Sequence, residues 1–184
     1  MRLWWLAVPL ALGLAPLAYT KAMARLAPRL TPVTLPAMAA PAEQADCITV
    51  DKSDREMKLW QGARLLARYD IALGGAPEAG HKRQEGDERT PEGRYVIDWR
   101  NARSMAHLSL HISYPNAADS AAAAARGVSP GGSVMIHGLP NGWSAVGRLH
   151  LMADWTDGCI GVTNAEMEEI WARVPDGAVI EITP

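Results

Sequence analysis

The stretch that most constrains this chain runs from Met135 to Asn164, MIHGLPNGWSAVGRLHLMADWTDGCIGVTN. Ser133 to Leu139 reads as a buried strand, because Val134, Met135 and Ile136 are flanked by turn formers. His137 then closes a rigid element and faces a cleft, and Pro140-Asn141-Gly142 turns the chain away. Thr156-Asp157-Gly158-Cys159 brings a thiol back on a tight segment, expected to lead straight into a helix. A helix start there places its positive end near a thiolate and favours it. A nucleophilic cysteine needs a base and backbone N–H donors for the oxyanion. His137 is the candidate base, and the N–H groups of Gly158 and Cys159 are the candidate oxyanion donors. Glycine at 158 lets main chain approach a carbonyl closely.

Each residue alone has an ordinary reading. A lone cysteine is most often a small buried hydrophobe, and a lone histidine on an apolar strand is usually structural. A histidine closing a strand, followed by Thr-x-Gly-Cys-Ile, is a joint pattern that points to catalysis.

The 184 residues suffice for one domain with a real core. Leu3 to Ala18 is apolar but interrupted by Pro9 and Pro16, and it is shorter than the span of about 20 residues a membrane helix needs. With Arg2 before it and Ala22-Met23-Ala24 after it, residues 1–24 read as an export signal, with an uncleaved N-terminal anchor as the alternative. Either places the domain outside the cytoplasm, in the cell envelope or periplasm. Residues 25–46 carry prolines at 28, 32, 36 and 41 and read as a linker, so the domain is expected from Cys47 to residue 184. Removing residues 1–24 deletes Arg2 and Lys21 and no acid, taking the formal charge from −2 to −4. No basic surface announces nucleic acid.

Cys47–Asp51, Glu56–Trp60 and Leu65–Leu73 read as a β-meander, and Arg94–Trp99 as a further strand. The loop from Gly74 to Gly86 reads as solvated, with His81 and Lys82 as weaker ligand contacts. His107 to Tyr114 alternates, with His107, Ser109, His111 and Ser113 on one face. His111 is taken as cleft-lining. Metal binding by these histidines with Cys159 lacks any recognised zinc spacing, so no metal site is expected. Asn116 caps a helix running to Arg126 that Gly127 ends, and Thr163-x-x-Glu166 is a capping box for a second. Met167, Ile170, Trp171 and Val174 recur at helical spacing. Trp143 and Trp155 bracket the loop before the cysteine; packing is the usual role of either, and stacking on a sugar or covering the cleft is the functional one. Two cysteines in an oxidising compartment invite a disulfide, but a bridge silences the nucleophile, so Cys47 is expected to be free and buried. The whole is mainly β, a β-rich α+β chain with two packed helices.

His137-Gly138 and Gly158-Cys159-Ile160 resemble the signature of the L,D-transpeptidase catalytic domain (the YkuD-type fold): His-Gly, a loop, then Ser-His-Gly-Cys, an apolar residue and Arg or Asn. Arg89-Thr90-Pro91-Glu92-Gly93-Arg94-Tyr95 is similar to its Thr-Pro-x-Gly-x-aromatic element, which the resemblance makes a scaffold for the site floor. The likeness covers about Ile48 to Thr183. Three positions depart: Thr156 for serine, Asp157 for the second histidine, and Gly161 for Arg or Asn.

The resemblance implies a β-sandwich-like fold and cysteine-dependent acyl transfer on peptidoglycan stem peptides, at a bond between the L-centre of a diamino-acid residue and a D-amino acid. It also implies that the Gly138 carbonyl orients His137, and it implies no cofactor. Thr156, Asp157 and Gly161, with His111 and Trp143, form the expected substrate-binding set. The missing cation at 161 and the acid at 157 point to an amine as acceptor or leaving group, with Arg148 as a substitute cation for a carboxylate. A lipoprotein lysine is one such acceptor. Hydrolysis of peptidoglycan or lipoprotein–peptidoglycan links remains an alternative, as do a non-catalytic wall-binding module and, more weakly, a zinc hydrolase.

Overall fold

Alternation becomes pairing in the first hairpins. Ile48 and Val50 of β1 (Cys47–Asp51) stand opposite Leu59 and Met57 of β2 (Glu56–Gln61), and all four are buried. Gly62, at φ 55, turns the chain into β3 (Arg64–Asp70). The computed structural model describes residues 34–184, so the export segment and residues 25–33 of the linker lie outside the described residues. Among the described residues, no helix is long and apolar enough to cross a membrane.

The last strand, β8 (Val179–Thr183), inserts parallel to β1 and antiparallel to β4 (Gly93–Asn101). Gly93 to Val96 pair with β8, whereas Ile97 onward pairs with β5 (Ser109–Ile112), and the register slips between Ile97 and Trp99. A bulge bends its strand and strengthens the twist, so β4 carries the sheet around a corner. Beyond β5 come β6 (Met135–His137) and β7 (Ile160–Gly161), giving one curled eight-stranded sheet in the order β3-β2-β1-β8-β4-β5-β6-β7. Both arms of the sheet feed one core that includes Ile48, Leu59, Ile97, Leu110, Ile136 and Ile160.

Helix α1 (Ala117–Ala125) begins at Asn116, whose side chain accepts from the Ala118 and Asp119 N–H groups while Asp119 accepts from the Asn116 N–H. Asp119 also receives the Tyr95 hydroxyl (3.0 Å) and lies 3.1 Å from His81 Nε2. The cap therefore ties α1 to the loop before β4. Helix α2 (Asn164–Arg173) starts at the Thr163–Glu166 capping box and buries Met167, Ile170 and Trp171.

Several expectations change. The linker ends earlier than residue 46: Ala39 N–H donates to Ala172 O, Ala45 N–H to Arg173 O, and Ala45 is fully buried. α2 does not follow Cys159 directly, because β7 comes between. His107 leaves the strand at φ 62 and pairs with Glu168. The expected solvated loop is pinned: the Lys82 ammonium is buried against Asp87 (2.8 Å), and His81 Nδ1 accepts the Glu92 N–H. Cys47 is free, as is Cys159, but it is partly exposed. A 3₁₀ segment, Ser144–Met152, kinks at Gly147 in the long connection.

Losing the α1 cap leaves helix N–H groups unsatisfied. Asn116→Ala should cost about 1 kcal/mol, read as a lower urea midpoint at unchanged slope; an unchanged midpoint contradicts this account of the cap.

Candidate active site

β6 and β7 run parallel with Ile136 opposite Ile160 and His137 opposite Gly161, which sets Cys159 one residue before the pairing begins. The Val162 N–H donates to the His137 carbonyl (3.0 Å), and Gly161 exchanges two hydrogen bonds with Ala72 on its other side. Strand geometry thus fixes both backbones before any side chain is placed.

The cysteine turn is held by Thr156. Its hydroxyl donates to the Cys159 carbonyl (2.8 Å) and accepts the Gly158 N–H (3.2 Å). Gly158, at φ 120, has no room for a side chain: a Cβ there lies 2.5 Å from the Arg89 carbonyl oxygen. The Arg89–Gly93 turn is therefore seated directly beneath the cysteine turn, and Thr90, fully buried, accepts the Gly74 N–H (3.0 Å). Of the two expected oxyanion donors, the Gly158 N–H is already engaged by Thr156.

His137 is almost fully buried. Its Nδ1 lies 2.7 Å from the Gly138 carbonyl, which leaves Nε2 for Cys159. The Met135 N–H points at Cys159 Sγ (3.4 Å). Burial pushes the thiol up, but the hydrogen bond to His137, its charge and the Met135 N–H outweigh burial, while Asp157 opposes them; the thiol lies below its ordinary value. Burial pushes His137 down, but the hydrogen bond and charge of Cys159 and the Gly138 carbonyl outweigh it, and the imidazole lies above its ordinary value. Both shifts favour a thiolate–imidazolium pair.

Two clefts meet at Cys159. One, of about 470 Å³, is walled by Met105, Met135, His137, Pro140 and Trp155, with Ser109 and Arg103. The other, of about 710 Å³, is the more polar of the two, lined by Lys82, Glu85, Glu88, Ser129 and glycines. Asp157 is exposed and lines both.

The expected substrate set divides. Thr156 and Asp157 line the first cleft. His111 lines neither; its Nδ1 is 2.5 Å from Asp98, and it stacks on Trp99. Trp143 lines neither and begins the 3₁₀ segment. Gly161 is buried beneath Trp155, whose ring carbon Cζ2 lies 3.0 Å from where a Cβ would stand. Trp155 is the indole that matters: it meets His137 edge-on at 5.5 Å, and its Nε1 donates to buried His150 (3.4 Å). The sequence signal for it was the small residue at 161, which leaves space for a large neighbour. Arg148 is held by Asp70 and Glu166, so Arg103, not Arg148, is the cation lining the cleft. Ser109, opposite His137 across β5 and β6, is buried and lines the cleft. Among the described residues, no three His, Cys, Asp or Glu side chains are grouped to hold a metal ion.

Alkylation of Cys159 follows the thiolate, which persists above the thiol pKa. With that pKa lowered, wild-type alkylation should stay fast as pH falls below the ordinary thiol range. His137→Ala should move the midpoint up and Asp157→Asn should move it down; unmoved midpoints contradict the electrostatics.

Residues 45–182 match the family model for the YkuD L,D-transpeptidase catalytic domain. No curated protein matches the sequence. Among solved structures, the helical cell shape determining protein Pgp2 from Campylobacter jejuni superposes with a TM-score of 0.57 at 23% identity, over 74% of this chain and 46% of that one. Bd1075 from Bdellovibrio bacteriovorus superposes with a TM-score of 0.53 at 21% identity, over 83% of this chain and 53% of that one. The chain spans about half the length of these structures. These likenesses bear on the fold; the family rests on the match over residues 45–182, and by it the chain belongs to the L,D-transpeptidase catalytic domain family.

Proposed function

We propose that this chain is a cysteine-dependent acyl-transfer enzyme acting on peptidoglycan stem peptides in the cell envelope, with Cys159 as nucleophile and His137 as base and acid. The observation that carries the reading is the His137 ring: with Nδ1 on the Gly138 carbonyl, Nε2 is left for the thiol proton.

In the reaction so proposed, Nε2 takes the Cys159 proton and Sγ adds to the carbonyl carbon of the scissile amide. The Cys159 N–H receives the oxyanion, since the Gly158 N–H is held by Thr156. Collapse breaks the C–N bond, and the leaving amine departs with the proton from Nε2. An amine or water then adds to the thioester, giving its proton to Nε2, and Sγ leaves and recovers it. A wall-binding module without chemistry needs neither His137 nor Cys159.

One feature favours an amine-linked substrate over a free carboxylate terminus. At 161, where the family pattern carries Arg or Asn, an indole covers a glycine, and the rim shared by both clefts presents the Asp157 carboxylate. Glycine at 161 offers a carboxylate none of the bidentate bonds an arginine gives there, and Arg103 is the cation this cleft retains. We read the enzyme as making or cutting links to a lysine or diamino-acid amine, with hydrolysis of such links as the second outcome. Pgp2 is described as determining helical cell shape; a cell-shape phenotype is the corresponding expectation here.

Free tetrapeptide, cross-linked and lipoprotein-linked fragments should be incubated with the enzyme and the products resolved by mass. The wild type should cut or exchange the amine-linked substrates, and Cys159→Ala should lose at least about 10³-fold in rate while staying folded. A Cys159→Ala enzyme that keeps most of its activity overturns the mechanism. Rapid 3-3 cross-linking of tetrapeptide alone, with neither linked substrate cut, overturns the specialisation only.

A further inference from the structure

We propose that Asn164 is a positioning residue for His137, acting through the peptide group between Gly138 and Leu139. The inference rests on the reading of His137 and Cys159 as the catalytic pair.

The geometry is a two-ended clamp on one amide plane. The Gly138 carbonyl lies 2.7 Å from His137 Nδ1, and the N–H of the same peptide group, that of Leu139, donates to Asn164 Oδ1 at 2.8 Å. A peptide group is planar, so the carbonyl cannot turn from the imidazole without also breaking the Leu139 bond. An amide whose N–H is donated is also a stronger acceptor at its oxygen, because linked hydrogen bonds polarise one another. Asn164 therefore both aims the carbonyl and strengthens it.

Two further features support the clamp. A Cβ on residue 138 would lie 2.8 Å from Asn164 Oδ1 and 3.0 Å from His107 Cβ, so glycine is the residue that admits this approach. Asn164 is itself fixed, because it is the first residue of α2. Beside it, the Thr163 hydroxyl accepts the Glu166 N–H (3.3 Å), and the Glu166 carboxylate accepts the Thr163 N–H (2.8 Å) and hydroxyl (2.7 Å). The helix start supplies a rigid side-chain oxygen one peptide group behind the base.

The consequence is a defined tautomer. With Nδ1–H held on the carbonyl, the neutral ring presents an Nε2 lone pair to the thiol. If the carbonyl swings away, the proton is free to sit on Nε2, where the ring cannot accept from Cys159, and the imidazolium loses a partner. An Asn164 that merely joins two chain segments predicts a loss of stability alone.

The test measures iodoacetamide alkylation of Cys159 against pH in the full chain, with wild type, Asn164→Ala, Asn164→Ser and Asn164→Asp, beside urea unfolding and turnover. Asn164→Ala and Asn164→Ser should raise the apparent thiol pKa by about one unit and lower kcat by about ten- to a hundredfold with KM little changed. Asn164→Asp keeps an acceptor and suits a helix start, so it should restore a near wild-type profile. Serine, also suited to a helix start, serves where alanine fails to fold. A wild-type alkylation profile in Asn164→Ala or Asn164→Ser, with stability lowered, overturns the proposal. Because alkylation needs no peptidoglycan, a shifted profile in an enzyme inactive on every stem peptide supports the positioning role and removes only the substrate reading.

Discussion

The parallel pairing of β6 with β7 is what the site depends on. Only two residues of β7 take part, Ile160 and Gly161, and strands so short do not persist alone. They persist here because Ala72 bonds β7 from the far side at 2.8 and 2.9 Å, and because Ile136 and Ile160 are fully buried. Burying each contributes about 1.5–3 kcal/mol. The rest of the molecule serves this junction: the bulge in β4 curls the sheet so that β5 can carry β6, and the Arg89–Gly93 turn fills the space under the cysteine turn.

Burial and charge oppose each other at that junction, and neighbouring groups decide the result. A buried imidazole is driven toward neutrality and a buried thiol toward protonation. Each is turned around by the other, assisted by the Gly138 carbonyl on one side and the Met135 N–H on the other. Asp157 works against the thiolate, so its presence at the rim has a cost to nucleophile activation. That cost makes sense for an enzyme whose substrate carries a positive charge past the rim, as the proposed function requires.

How much of this was readable in the sequence follows from the range of each signal. Capping boxes are local, so Asn116-x-x-Asp119 and Thr163-x-x-Glu166 were legible as helix starts, and both helices begin there. The alternation at Leu108, Leu110, Ile112 and Tyr114 named the buried face correctly. It did not show that His107 would leave the strand at positive φ, or that His111 would turn to Asp98 and Trp99, since those partners come from other elements. Nothing local in the sequence distinguishes Trp155 from Trp143; the difference is the space above Gly161. In the sequence Asn164 carries only a helix-start signal, because its Leu139 partner lies 25 residues back. Residues marked by short-range rules or by the histidine–cysteine motif are visible in the sequence, and those whose partners come from distant elements are not.

The central claim, that the β6–β7 junction builds a nucleophilic thiolate at Cys159, has a direct test in the covalent intermediate. Stem peptide should be mixed with enzyme, quenched in acid within one turnover, and the protein weighed intact. The account predicts an acyl adduct on Cys159 that forms in the wild type and is absent from Cys159→Ala. It also predicts that the adduct forms more slowly in His137→Ala, by about 10² or more. Turnover with no adduct on Cys159 at any quench time, together with adduct-free peptide cleavage in Cys159→Ala, would contradict it.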